Sequence, residues 1–178
     1  GPERLVGSLD HNVRIPTALG ALRPTALYQP SMEAGIPVGQ EFLIVGFNRL
    51  KDFYPALAAE NLRLQKDVNG NPISARSAYV DLDVRGEERD TTGTNFARAL
   101  DLKENRVRLV ELLNQIVRPG ETVGLTAVLG LNDPTAWKDI QDMLGHPVFE
   151  ISLQPPSVPG MRLNQELTEI AKANCRVM

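Results

Sequence analysis

Soft and imidazole side chains are nearly missing from this sequence: Cys175 is the only cysteine, and His11 and His146 are the only histidines. A single thiol makes no disulfide framework, which suits a reducing compartment. The histidines stand at no metal-ligand spacing to each other or to the cysteine, so no metal is expected. Aromatic residues make up only 5% of the chain, and its net charge is −3. Lys and Arg form no stripe interleaved with aromatics, so the footprint of a DNA or RNA binder is absent and no nucleic-acid partner is expected. Long apolar runs are also lacking. The longest, Phe42 to Phe47, falls far short of the roughly 20 residues that a membrane span requires, and no signal-peptide pattern opens the chain.

What is present suits one domain with a real core, or one domain plus an arm: 178 residues, 42% of them hydrophobic. Both ends read as cuts in a longer protein. Gly1-Pro2 reads as a cloning remnant in place of an initiator Met, and Cys175-Arg-Val-Met178 reads as the opening of a strand.

Residues 12–29 carry β-type residues on both sides of Gly20-Ala21, which predicts an extended hairpin. Pro16 and Pro24 supply no ladder donors, so this hairpin belongs at an edge and not in the middle of a sheet. From residue 41 strands and helices alternate. Glu41–Phe47 is a buried-type strand, and Lys51–Gln65 a helix with Tyr54, Leu57, Ala58 and Leu62 on its apolar face. A turn at Asn69-Gly-Asn-Pro72 leads to a second strand over Ile73–Val84. Asp101 and Glu104 resemble a capping box ahead of the stripe Leu109, Leu112, Leu113, Ile116 and Val117. Thr122–Leu129 is the third strand. Asp133 and Pro134 form an N-cap and first helical position before Trp137, Ile140 and Leu144, with Gly145 as the stop. Val148–Leu153 is the fourth strand, and Leu163, Leu167, Ile170 and Ala171 lie on the last helix. The pattern predicts an α/β fold: an open, mostly parallel three-layer sheet of Rossmann or flavodoxin type, with four core strands and an N-terminal β-hairpin arm. The arm is placed at residues 1–36 and the α/β domain at 37–178.

In such a sheet, ligands gather beyond the carboxyl ends of the strands. The candidate loops are Gly46–Asp52, with Asn48, then 85–95, Gly130–Asp133 and Gln154–Gly160. No G-x-G-x-x-G follows the first strand and no P-loop occurs anywhere. Asp90-Thr-Thr-Gly-Thr94 looks like a phosphorylated-aspartate motif but lacks its lysine and its apolar strand, so it reads as an ordinary polar loop. Ser157 stands in Pro156-Ser-Val-Pro, which is no nucleophile elbow, and it or Gly160 reads as a helix starter.

The loop Gln154-Pro-Pro-Ser-Val-Pro-Gly160 is stiff by composition. Its prolines fix φ and push their predecessors toward extended geometry, so its path is set without ladder bonds. Gly160 permits a close backbone approach, and the N–H groups of Met161, Arg162 and Leu163 are expected to open the last helix as an anion-friendly end. Arg162 on a first turn opposes the helix dipole. That misfit points to an anionic partner, with a surface ion pair as the ordinary alternative.

At this loop, and at Ile15-Pro-Thr-Ala-Leu-Gly-Ala-Leu-Arg-Pro-Thr25, Leu43-Ile-Val-Gly-Phe-Asn-Arg-Leu-Lys-Asp-Phe53 and Asn95-Phe-Ala-Arg-Ala-Leu-Asp101, the sequence resembles the B subunits of anaerobic, quinone-linked glycerol-3-phosphate dehydrogenases. The likeness runs from about residue 12 to residue 170 and covers the middle of that family's length. It implies a flavoprotein that oxidises glycerol 3-phosphate to dihydroxyacetone phosphate, with FMN or FAD in the whole protein and none held by these residues alone. It further implies partner subunits A and C, and a cytoplasmic location, peripheral at the inner face of the cell membrane through a partner subunit. In that setting the α/β part is a cap or substrate-side domain inserted into a flavin domain. Arg23, with its neighbours Pro24 and Thr25, and Arg162 are then the groups expected to reach a phosphate, because a guanidinium offers bidentate hydrogen bonds to phosphate oxygens.

Two other readings compete. One is a non-catalytic α/β interaction module that docks partner subunits through its strand-end loops. The other, a flavodoxin-like carrier, is disfavoured because the Ser/Thr/Gly-rich phosphate loop of that fold is replaced by Gly46-Phe-Asn-Arg-Leu50.

Overall fold

In the computed structural model of the chain, residues 5–84, 86 and 90–174 are described. The N-terminal part is built of short pieces, as its prolines dictate. β1 (Val6–Gly7) pairs antiparallel with β4 (Leu27–Tyr28), and between them β2 (Val13–Pro16) pairs antiparallel with β3 (Leu22–Thr25). The hairpin turns where expected: Thr17 N–H donates to Ala21 O at 2.9 Å, and Gly20 takes φ +79°, a region that only glycine occupies without strain. A 3-10 helix follows over Pro30–Gly35.

The alternating part yields β5 (Glu41–Phe47), α1 (Pro55–Arg63), β6 (Ser74–Val80), α2 (Gly93–Leu100), α3 (Lys103–Asn114), β7 (Glu121–Thr126), α4 (Ala136–Leu144), β8 (Val148–Ile151) and α5 (Val158–Asn174). The four strands lie in the order β6-β5-β7-β8, all parallel. The expected open α/β sheet and its N-terminal hairpin are therefore present. The chain runs outward from β5 to β6, then returns to β7 on the other side of β5, so the strand order reverses between β5 and β7. Parallel strands covered on both faces need continuous apolar runs, and β7 and β8 are buried at every position.

One face is covered by α2, α3 and α4, whose Phe96, Leu109, Leu113 and Ile140 pack on Leu43, Val45, Val123 and Leu125. The opposite face is shared. Ala58, Ala59 and Leu62 of α1 cover Phe42, Ile44 and Ala75, while Leu22 of the hairpin and Ala34 of the 3-10 helix join the same cluster with Phe149 and Ile151. The N-terminal pieces thus complete the third layer. Phe149 is clamped there between two glycines: a Cβ on Gly35 or on Gly124 would each stand 2.5 Å from its ring. Across the sheet, Arg76 of β6 pairs with Glu121 of β7 and also donates to Ile116 O at 2.6 Å.

Several expectations need correction. The first helix begins at Pro55 and not Lys51, because a proline is favoured where the helix starts. Tyr54 and Leu57 are consequently 62% and 43% exposed, and the buried face is Ala58, Ala59 and Leu62. β6 ends at Val80, β7 at Thr126 and β8 at Ile151, each short of its expected end. Asp101 is no cap for α3, whose N-cap is Leu102. Its carboxylate instead accepts the N–H groups of Leu131, Asn132 and Asp133, tying the loop after β7 to the α2–α3 corner. Asp133 and Pro134 are not the cap and first turn of α4 either: the N-cap is Thr135, α4 starts at Ala136, and the Asp133 carboxylate accepts Thr135 N–H in the turn before it. Cys175–Met178 and most of the polar loop at 85–89 lie outside the described residues.

The last helix is the largest departure. It begins at Val158, with Pro159 in its first turn, where a missing N–H costs nothing. Ser157 Oγ accepts Gly160 N–H at 3.3 Å, and Met161 N–H already donates to Ser157 O. Arg162 turns inward and is 8% exposed. Its Nη1 donates to Glu150 Oε2 at 2.7 Å and to Gln29 Oε1 at 3.3 Å, its Nη2 to Glu150 Oε1 and Gly130 O, and its Nε to Gly130 O at 2.8 Å. These bonds occupy all five N–H donors of a guanidinium. Glu150 also accepts Ser31 Oγ–H at 2.7 Å and Leu129 N–H at 3.0 Å. Beyond this anchor α5 is loosely held, and Leu163, Leu167 and Ile170 are 47%, 56% and 47% exposed.

These ion pairs set the stability of the fold in ways that can be measured. Removing one partner of a buried pair strands the other charge, so Arg162→Ala should lower unfolding stability in urea by about 3–5 kcal/mol; adding Glu150→Gln to Arg162→Ala should recover part of it. A loss under about 1 kcal/mol would mean that the pair does not anchor α5. Burial pushes the Glu121 carboxyl up, but hydrogen bonds from Arg76 and from the Arg118 N–H outweigh it, leaving its pKa below the ordinary value. A carboxylate depressed in the folded state contributes stability above its unfolded pKa and loses it as pH falls through the folded one. Urea midpoints measured from pH 7 down to pH 3 should therefore fall less steeply for Glu121→Gln than for the parent chain.

Candidate functional site

The stiff segment that follows β8 is the centre of the site. Its Pro155–Pro156 peptide bond is cis, and three cavities open along it. The first, of about 640 Å³, lies between the hairpin and the carboxyl end of β8, lined by Ile15, Leu22, Arg23, Thr25, Glu150 and Gln154 among others. The second, of about 460 Å³, sits where the strand order reverses, between Asp52 and Tyr54 after β5, Ala127 and Val128 after β7, and Thr92–Thr94 at the start of α2. The third, of about 620 Å³, is bounded by Arg98, Ser157, Gly160 and Met161. Pro155 borders all three.

The structure brings some of the singled-out residues together and separates others. Arg23, Pro24 and Thr25 share the first cavity; Arg23 is exposed and makes no side-chain hydrogen bond or ion pair among the described residues. Ser157 lines the second and third cavities while capping α5. Gly160 borders the third as an exposed helical residue, where a Cβ would meet only Ser157 Oγ at 3.1 Å, so no close approach requires glycine there. Asn48 is exposed at the end of β5, away from all three, with its N–H donating to Val80 O. Arg162 has no donor left for a phosphate, and its misfit with the helix dipole is answered from within the chain by Glu150.

The ionisable groups on these cavities are Arg23, Arg98, Asp52, Tyr54 and Glu150. Glu150 is locked by Arg162, and among the described residues no histidine, cysteine or lysine lines any of them. The arrangement is suited to binding and positioning more than to proton transfer. Sequence reasoning missed Glu150, although a charged residue inside the apolar run Val148-Phe-Glu-Ile151 signals a buried partner. It also missed Thr92, whose Oγ1 caps α2 by accepting Asn95 N–H at 3.3 Å.

Beyond β5 and β6 the loops are laced to one another. Arg49 pairs with Asp81 at 3.0 Å and with Asp83 at 3.1 Å, Lys51 pairs with Asp90 at 2.6 Å, and Thr91 N–H donates to Arg49 O at 2.8 Å. Hydrogen bonding to Asp81 is the main reason the Arg49 pKa lies above its ordinary value. Among the described residues no helix is long and apolar enough to cross a membrane, and no group of His, Cys, Asp and Glu could hold a metal ion.

Comparison with known proteins places this geometry in a family. The chain is 33% identical over 178 residues to the B subunit of a probable anaerobic glycerol-3-phosphate dehydrogenase from Halobacterium salinarum, covering 89% of this chain and 39% of that protein. It is 32% identical to the B subunit of the anaerobic glycerol-3-phosphate dehydrogenase of Pectobacterium carotovorum subsp. carotovorum, over 93% of this chain and 40% of the relative. The corresponding protein of Mannheimia succiniciproducens is 29% identical over 92% and 39%. The chain thus spans well under half the length of these relatives. No solved structure matches it. The FAD binding domain family matches residues 4–176, and because that match runs through nearly the whole sequence, the chain belongs to this family of flavin-binding proteins.

Proposed function

We propose that this chain is the substrate-side part of the B subunit of an anaerobic, quinone-linked glycerol-3-phosphate dehydrogenase. The observation that carries the reading is the similarity to such subunits over about nine tenths of the chain. Residues 37–178 form the inserted α/β domain, and residues 1–36 the arm that leads toward the flavin domain of the whole protein. The reaction oxidises the C2 alcohol of glycerol 3-phosphate to the ketone of dihydroxyacetone phosphate. Two electrons and two protons leave, with FMN or FAD of the whole protein as acceptor. Subunits A and C are the partners, and the complex works at the inner face of the cell membrane through a partner subunit.

The cavities support binding as this chain's share of the work. Arg23 is the one arginine on the first cavity without an intrachain partner among the described residues, and it stands beside the hydroxyl-bearing Thr17, Thr25 and Ser152. A phosphate monoester is met by a cation with neutral donors; here Arg23 is the unengaged cation, while the Thr17 and Thr25 hydroxyls donate to Ala21 O and Arg23 O and would have to turn toward the ligand. Gln154 and Pro155 of the proline-stiffened loop also line this cavity, which limits the ordering cost of closing on a small ligand.

In the full-length enzyme Arg23→Ala should raise KM for glycerol 3-phosphate about 10- to 100-fold, the range for a lost hydrogen bond to a charged group. Because the side chain is exposed, the melting temperature should hold. Arg23→Lys should recover only part of the affinity. An unchanged KM in Arg23→Ala would remove this residue from the substrate site.

One observation favours a second reading, that of a docking module without a catalytic share: the exposed apolar row Leu163, Leu167 and Ile170 on α5. On that reading Leu167→Glu should abolish co-purification with the partner subunits while the chain stays folded by circular dichroism. On the first reading assembly should survive that change.

A further inference from the structure

We infer that the ends of β5 and β6, which would take the ADP half of a dinucleotide in an open α/β sheet, do not fit FAD in this chain, so that this segment of an FAD binding domain carries a nucleotide-free sheet. A dinucleotide in such a sheet needs three things. It needs a tight glycine-rich turn after the first strand, free N–H groups at the start of the following helix, and an acidic residue after the second strand for the ribose.

Each place is filled by something else. The turn after β5 runs from Asn48 to Tyr54 without a glycine, and Leu50 and Phe53 fold into the core at 2% exposure each. Gly46, the nearest glycine, lies inside the strand, with Pro55 Cδ and Cγ 2.8 Å from where its Cβ would stand and Tyr79 at 3.1 Å. The Pro55 ring thus packs directly on the strand at this glycine. α1 opens with that same Pro55, which has no N–H, and its N-cap Tyr54 makes no side-chain cap. The carboxylate of Asp52 stands at the mouth of the adjoining cavity, where it repels phosphate.

The ribose place is taken in the same way. Asp81 directly follows β6, the position from which an acidic side chain holds a ribose hydroxyl. Its carboxylate is paired with Arg49 of the first turn, and the neighbouring Asp83 holds the same guanidinium. With Lys51 on Asp90 and Thr91 on Arg49 O, the two loops that a nucleotide would part are joined by side-chain and main-chain bonds. The ends of β5 and β6 are latched together, and the open space lies between the ends of β5 and β7 and along the proline loop.

Family membership and loop geometry carry this closure, independently of the dehydrogenase reading. Titration of the purified 178-residue chain with FAD, FMN and ADP, followed by flavin fluorescence and by Trp137 emission, tests it. Circular dichroism on the same sample establishes that the chain is folded. ADP should show no saturable binding below about 1 mM, and the Arg49→Ala variant should bind it no better. Flavin that binds but is not displaced by ADP would lie away from the ends of β5 and β6 and supports the inference. Saturable binding of FAD that ADP displaces, and that Asn48→Trp at the exposed end of β5 abolishes, would overturn it. That last outcome would leave Arg23 and its effect on KM untouched.

Discussion

A carboxylate on a strand buried from both sides has to be paired, and the need to pair Glu150 organises the carboxyl end of this sheet. Glu150 is 2% exposed in the middle of β8. Taking such a charge out of water costs several kcal/mol unless hydrogen bonds replace its hydration. Ser31 from the N-terminal 3-10 helix, the Leu129 N–H from the turn after β7, and Arg162 from α5 supply them. One side chain thereby joins three segments that are far apart in sequence. The proline loop runs between β8 and α5, so both its ends are held by the same network, and its wall of the three cavities takes its position from it.

The same network separates what could be read from the sequence from what could not. The four strands, their parallel order and the hairpin turn at Gly20 follow from local signals: buried β-rich runs separated by helical patterns, and prolines confined to a ribbon. Boundaries erred where one residue changed the account. Pro55 moved the start of α1, and α5 begins at Val158, directly after Ser157 and not at Gly160, the other starter read there. Arg162 could be recognised as misplaced for a plain helix and an ion pair offered for it, but neither its burial nor its partner, because Glu150 is 12 residues away and on another element. Asp101 likewise carried the pattern of a cap and serves a loop 30 residues on. Long-range charge pairing leaves no periodicity behind, so it was invisible, whereas packing periodicity was not.

The division of the molecule follows from the same loops. On the β5–β6 side, Arg49, Asp81 and Asp83 hold the strand ends together. On the β7–β8 side, the proline loop borders three cavities, the first of which Arg23 of the hairpin also lines.

The clamped ring of Phe149 has an evolutionary consequence. Gly35, Gly124 and Phe149 fill one volume from three elements, so enlarging either glycine forces the ring to shrink or the 3-10 helix to lift from the sheet. Substitutions at these three sites should be correlated across homologues, with bulk at 35 or 124 appearing only alongside a smaller residue at 149, while the neighbouring surface drifts independently.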